Sequence, residues 1–238
     1  MDDRYSVANE FPNRVPVEVK LLDLVTRIVP SAFYVIVLVQ KLNEAYAFVV
    51  SGQGLGGASP SWKTFAEVVS RSSTIVFLAL LSILFIIRLE PIKKAKGILP
   101  RVLAVAGTFS MALVTTFPRA ELSFTQTMIA SLLSLVGTGL SLFALLHLGR
   151  SFSIMAEARR LVTSGPYRVV RHPLYAFEAV ASLGILLQFF GFYSVLIYIA
   201  HCFFQLQRMK NEEAVLEGVF PEYQTYKLKT ARVIPGIY

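Results

Sequence analysis

The chain of 238 residues has a single cysteine, Cys202. An internal disulfide is excluded, and cysteine usage leaves the redox compartment open. Histidine is scarce as well: His147, His172 and His201 are the only three. No CxxC or HExxH spacing occurs, so neither a structural nor a catalytic zinc site is expected, and no metal is assigned. Charged residues make up 16% of the chain, against about 25% in an ordinary soluble domain. A cleavable signal peptide is also missing from the first twenty residues, which are polar, mixed in charge and carry Pro12 and Pro16. They read as a cytoplasmic tail. The glycine-rich stretch 51–57 (SGQGLGG) has no strand–turn–helix unit around it, so it reads as a plain loop and not as a nucleotide cradle.

What the chain has in abundance is apolar sequence. Hydrophobic residues reach 55% and the mean hydropathy is +0.59. These residues come in long runs, at about 28–50, 72–90, 98–117 and 126–148. Each is near the ~20 residues that a bilayer crossing needs. Lys41, Asn43 and Glu44 interrupt the first. Between Glu178 and Arg208 there is no charged residue. As one helix that stretch would reach about 44 Å, against a hydrocarbon core of about 30 Å. Gly191, within Phe189-Phe190-Gly191-Phe192, is the natural break. A hairpin of two helices, about 174–189 and 192–207, is predicted.

The expected fold is thus all-α: a polytopic transmembrane bundle of about five to six membrane helices with a C-terminal helical hairpin and a cytoplasmic tail. Residues 1–148 form the N-terminal helices, and 149–238 hold the polar part. With the N-terminus placed in the cytoplasm, 19 of the 23 basic residues fall in inner segments. Lys63, Arg71 and Arg119 are the outer ones. This is the positive-inside bias, and it places both termini in the cytoplasm. It also accounts for the net charge of +8 through anionic lipid, without nucleic acid.

Polar chemistry concentrates after Leu148. His201, Gln205, Arg208 and Glu212 are spaced by four, three and four, which puts them on one helical face running out of the membrane. Glu178 lies a turn into an apolar helix, where an ionised carboxylate needs a partner. Arg171, seven residues earlier, can share its face if the helix starts early. Gly165 and Pro166 fix a tight turn ahead of Arg168, Arg171 and His172. Tyr167, Tyr175 and Phe177 either stack on a base or rim the membrane. Together these residues describe a polar pocket at the cytoplasmic edge, open to lipid. Residue chemistry alone does not name the reaction.

Leu161-Val-Thr-Ser-Gly-Pro-Tyr-Arg-Val-Val-Arg-His-Pro-Leu-Tyr175 resembles the signature of the isoprenylcysteine carboxyl methyltransferase family, related to the phospholipid N-methyltransferases. The resemblance extends to His147-Leu-Gly-Arg150, Arg208-Met-Lys-Asn-Glu-Glu-Ala-Val-Leu216, Phe220-Pro-Glu-Tyr-Gln-Thr-Tyr226 and Arg232-Val-Ile-Pro-Gly236. It covers roughly 147–238 and implies an S-adenosylmethionine-dependent methyl transfer to a lipophilic acceptor, by in-line displacement, with S-adenosylhomocysteine as product. It implies cofactor contacts from His147, Gly165, Tyr167, Arg171, His172, Tyr175, His201, Gln205, Glu212 and Glu213. Arg208, Glu212 and Arg171 are the implied catalytic residues. One of the two glutamates is expected to meet the cofactor, and the other to be solvated. Phe177, where the family often has glycine, and Glu178 depart from the pattern and bear on the acceptor. Arg-His-Pro-x-Tyr is also similar to a run in membrane sterol reductases. An NADPH-dependent reductase therefore stands as an alternative, as does a non-enzymatic membrane protein with the same fold. Cys202 is expected to pack only.

Overall fold

The computed structural model describes residues 17–51 and 62–236. The N-terminal tail, most of the glycine-rich loop and the last two residues lie outside the described residues, and with them the expectations placed there. Seven α-helices are described: α1 (Val17–Val50), α2 (Trp62–Ile87), α3 (Leu99–Val114), α4 (Phe124–Leu148), α5 (Pro173–Gln188), α6 (Phe192–Glu217) and α7 (Tyr223–Lys229). Two of them, over Arg27–Val50 and Phe124–Ser151, are long and apolar enough to cross a bilayer, and three shorter apolar stretches accompany them.

The elements differ from the hydropathy runs for local reasons. α1 carries its charged residues without interruption because Lys41 donates to both oxygens of Glu44 at 2.9 Å, one turn away. α2 ends at Ile87, short of the expected 90. There Arg27 takes the carbonyls of Ile86 and Arg88, Arg150 takes that of Ile87, and Pro91 follows. α3 ends three residues early, as the hydroxyls of Thr115 and Thr116 bond back to Ala112 and Leu113. α4 opens on a capping box in which Ser123 and Gln126 satisfy each other's backbone N–H. The hairpin breaks at 189–191 as expected, but Gly191 has an ordinary extended backbone (φ −177°), so the turn does not depend on glycine's freedom. The largest difference is in α6, which runs ten residues past the apolar stretch, to Glu217. Hydropathy reports what sits in lipid, whereas a helix continues as long as its backbone bonds do.

An all-α description also omits a small β element. β1 (Lys93–Lys94) pairs antiparallel with β2 (Glu157–Ala158), with Lys93 opposite Ala158. A parallel bridge joins Val170 to Ala231. These pairings gather the α2–α3 connector, the 149–172 segment and the C-terminal segment at one end of the bundle.

Helix packing relies on small residues. A Cβ added to Gly137 of α4 would stand 2.3 Å from the backbone nitrogen of Ala181 in α5, and one on Gly184 would stand 2.4 Å from Ser134 Oγ. The backbones of α4 and α5 are in contact, as in membrane bundles. On α1 and α2, Ser31 donates to the Ser82 carbonyl, and Tyr34 stacks on Phe85 at 5.7 Å. The burial pattern is inverted relative to a soluble protein. Ile129, Leu132, Val136, Leu140 and Phe143 of α4 face outward, while Ser31, Ser82, Ser110, Ser141, Ser182 and Ser194 are buried. Such an apolar exterior wants lipid around it.

Candidate active site

A cavity of about 580 Å³ opens between α1–α6 and the 151–162 segment. That volume suits a drug-sized ligand. Two adjoining polar clusters, both built on α6, shape its polar end.

The first cluster is a clasp around Glu213, which is 3% exposed. One carboxylate oxygen accepts from Arg171 Nε at 3.0 Å, His172 Nε2 at 3.1 Å and Arg232 Nε at 3.0 Å. The other accepts from Arg232 Nη2 at 2.7 Å. Burial pushes the carboxyl up, but the bonds from His172, Arg232 and Arg171 outweigh it and hold it well below the usual carboxylate range. Arg171 also donates to the carbonyls of Lys227 and Thr230, and the N–H groups of Arg171 and His172 bond the carbonyls of Ala231 and Arg232. The clasp therefore pins the C-terminal segment to the start of α5. The expectation that one glutamate is merely solvated does not hold for Glu213. Two arginines and His172 engage it.

The second cluster is strung along the cavity wall. The Tyr175 hydroxyl donates to Glu212 Oε1, and His172 Nδ1 lies 4.0 Å from Glu212 Oε2. Burial raises the Glu212 carboxyl, while Arg208 and His172 pull it the other way. Arg208 lies over the Tyr175 ring at 5.0 Å, gives Nη1 to Gln205 Oε1 at 2.8 Å and Nη2 to the Ile154 carbonyl at 3.1 Å. Gln205 Nε2 in turn donates to Glu178 Oε2 at 3.1 Å. Further in, Ser110 Oγ and His201 Nδ1 are 2.9 Å apart. The spacing of four, three and four thus reads out directly, since His201, Gln205, Arg208 and Glu212 all line the cavity. α5 starts only at Pro173, so Arg171 lies ahead of the helix. It goes to Glu213, and Gln205 takes the place beside Glu178.

Tyr167, Arg171, His172 and Tyr175 line the cavity too. His147 and Gly165 do not. They shape the turn before it: Gly165 has φ +58°, and a Cβ there would stand 2.1 Å from His147 Cδ2. His147 Nδ1 is 2.8 Å from the Phe143 carbonyl. The half-buried Cys202 is also outside the lining. Among the described residues no group of three or more His, Cys, Asp or Glu could hold a metal. Sequence reasoning left several participants unassigned. Arg232 sits in the Arg232-Val-Ile-Pro-Gly236 motif, whose spacing assigns it no role. The Ile154 carbonyl, Ser110 and Tyr34 carried no signal.

Among the described residues, Arg208 Nε and the Tyr223 hydroxyl are buried without a hydrogen-bond partner, and both residues line the cavity. Tyr226, below Tyr223, donates to the Tyr167 carbonyl at 2.6 Å, and burial pushes its hydroxyl up to about 12. Buried polar atoms left unpaired next to a cavity are places for a ligand's hydrogen bonds. The lining thus offers carboxylates, guanidinium groups and aromatic faces, together with apolar side chains such as Phe77, Leu78 and Leu81.

Residues 129–218 match the family model described as the isoprenylcysteine carboxyl methyltransferase (ICMT) family. The chain is also 35% identical over 102 residues to the Protein-S-isoprenylcysteine O-methyltransferase of Schizosaccharomyces pombe. That match covers 40% of this chain and 43% of the relative's length. The family match contains α5, the turn before it, all of α6 and most of α4.

Proposed function

We propose that the protein transfers a methyl group from S-adenosylmethionine to a lipophilic acceptor at the cytoplasmic face of a membrane. The observation that carries this reading is the cavity itself, lined by groups of both charge signs and by apolar side chains, with His172, Tyr175, Glu178, Gln205, Arg208 and Glu212 inside the stretch that is similar to the methyltransferase family. When bound, S-adenosylmethionine supplies an activated methyl group on a sulfonium. Its own groups need an anionic partner, a cationic partner and a surface for the base. Glu212 would serve the ammonium or the ribose hydroxyls through charge-assisted bonds. Arg171, its orientation fixed by Glu213, would serve the carboxylate. Tyr167 and Tyr175 would give the aromatic faces, and Arg208 Nε and the Tyr223 hydroxyl have bonds to give. His147 and Gly165 hold the turn that presents Tyr167. Glu213 and His172 act on position, not on the reacting atoms.

What these residues contribute to rate is alignment and exclusion of water. The acceptor's chain would lie against Tyr34, Phe77 and Leu81, having come sideways from lipid. In this reading α1–α6 all cross or enter the bilayer, both termini face the cytoplasm, and the basic segments 88–101 and 149–172 meet anionic headgroups. α3 and α5, with 16 residues each, reach about 24 Å and would be accommodated by a thinner bilayer around them.

The test is incubation of the detergent-solubilised chain with methyl-labelled S-adenosylmethionine and a total lipid extract. Label in a lipid-soluble product is expected. If folded protein transfers no label to any lipid fraction and binds NADPH instead of S-adenosylhomocysteine, the reductase reading replaces this one.

A further inference from the structure

The junction between the polar and apolar parts of the cavity carries an uneven charge. Glu178, one turn along α5 from Tyr175, lines the cavity, as does Glu212. Arg208 stands between them, linked to Glu178 through Gln205 and to Glu212 through the Tyr175 ring. Its two terminal nitrogens are given to Gln205 and to the Ile154 carbonyl, so neither carboxylate takes a direct bond from them. Two carboxyl groups therefore share one guanidinium. In the cofactor-free site a carboxylate acceptor would bring a third acidic group to the Arg208 guanidinium in a low-dielectric setting, where like charges repel strongly. A neutral hydroxyl or amine would not, and it has a proton to give up. The wall beyond is also richer in hydrogen-bonding groups than a hydrocarbon chain needs. His201 Nε2 and Ser141 Oγ have no partner among the described residues, and these two side chains are 5% and 1% exposed.

We propose that the acceptor is a lipophilic molecule whose reacting atom carries a proton, an O–H or N–H group, and that the Glu178 carboxylate receives that proton. The proposal rests on the methyl-transfer reading above. The acceptor's heteroatom forms its bond to the methyl carbon as the carbon–sulfur bond breaks. The electron pair of that bond stays on sulfur as a thioether, and the heteroatom's proton passes to Glu178. No oxidant, reductant or metal enters the balance. Gln205, donating to Glu178 Oε2, is the positioning residue.

The experiment uses the full chain in detergent and three probes of similar apolar size: para-nonylphenol, N-methyl-4-octylaniline, whose amine is neutral at pH 7, and N-acetyl-S-farnesylcysteine, whose acceptor is a carboxylate. Binding of each without cofactor is read by equilibrium dialysis, and methyl transfer with labelled S-adenosylmethionine. The phenol or the amine is expected to bind and react better than the carboxylate, roughly 10-fold or more, and which of the two prevails names the source. In Glu178→Gln, transfer to the protic probe is expected to fall roughly 100-fold or more, the usual share of a positioned base. Its S-adenosylhomocysteine affinity should stay within about twofold, and its binding of the carboxylate probe should tighten. The binding arm decides even where none of the three probes is turned over. Preference of the native chain for the farnesylcysteine carboxylate, or protic turnover unchanged in Glu178→Gln, overturns the inference. Failure of folded native protein to bind S-adenosylhomocysteine at all overturns the methyl-transfer reading and takes this inference with it.

Discussion

Glu212 and Glu213 are neighbours on α6, yet they belong to two different kinds of cluster. Glu213 faces away from the cavity lining and fills its valences with Arg171, His172 and Arg232, which tie α5, α6 and the C-terminal segment together. Glu212 faces the cavity, keeps partial exposure and takes one hydroxyl bond from Tyr175. One cluster is closed and the other is open. Adjacent helix positions point about 100° apart, so a single turn of helix can hold the architecture with one residue and present chemistry with the next. The lesson is that a paired acidic motif need not be a paired ligand.

The strongest way to break this comparison is Glu213→Ala. Removing the acid leaves the guanidinium groups of Arg171 and Arg232 facing one another beside buried His172, and breaking a buried pair from one side costs about 3–5 kcal/mol. We expect a large drop in the thermal midpoint in detergent, read by a fluorescence melt. The same cluster sets a pH dependence. Its folded carboxyl is held below its ordinary value of 4.5. Its contribution is therefore full above about pH 4.5 and is lost as pH falls from there toward the folded value. Midpoints measured from pH 7 down to pH 3 should fall below pH 4.5 in the native chain and show a weaker decline in Glu213→Gln.

Glu212→Gln sharpens the contrast from the other side. It should leave the melt nearly unchanged and weaken S-adenosylhomocysteine binding by roughly 10–100-fold, the worth of a hydrogen bond to a charged group. Next in size is Gly165→Ala. The left-handed backbone costs about 1–2 kcal/mol with any L side chain, before the approach of His147 is counted. The midpoint should fall, and adding His147→Ala should recover the part owed to contact, leaving the backbone part. The smallest effect is expected for Cys202→Ser, outside the cavity lining, with turnover and midpoint close to those of the native chain.

Much of this was legible in the sequence, and the illegible parts share a cause. Apolar runs marked where the bundle meets lipid, and the uncharged stretch 179–207 announced a hairpin with its break near Gly191. Spacing alone placed His201, Gln205, Arg208 and Glu212 on one wall. The end of α2 was not legible, because it is set by partners distant in sequence. Arg27 and Arg150 close α2 from about sixty residues away. The extent of α6 was only partly legible: the spacing of its polar face carries it to Glu212, but half of its last ten residues are charged, and charge does not distinguish a water-exposed helix from a tail. The use of Glu213 was hidden for the same reason. Arg232 reaches it only after α7 turns the chain back, and no local pattern records that return. The β1–β2 pairing of Lys93–Lys94 with Glu157–Ala158 is two residues long on each side, too short to leave a periodic signal.

The most direct test of the account is a calorimetric titration of S-adenosylhomocysteine into three detergent-solubilised proteins: the native chain, Glu212→Gln and Glu213→Gln. Each is first shown to be folded by its melt. The account predicts binding by the native chain, a loss of roughly 10–100-fold in Glu212→Gln with its midpoint preserved, and a lowered midpoint in Glu213→Gln with affinity much nearer the native value. No binding by the folded native chain, or equal affinity in native and Glu212→Gln proteins, would contradict it.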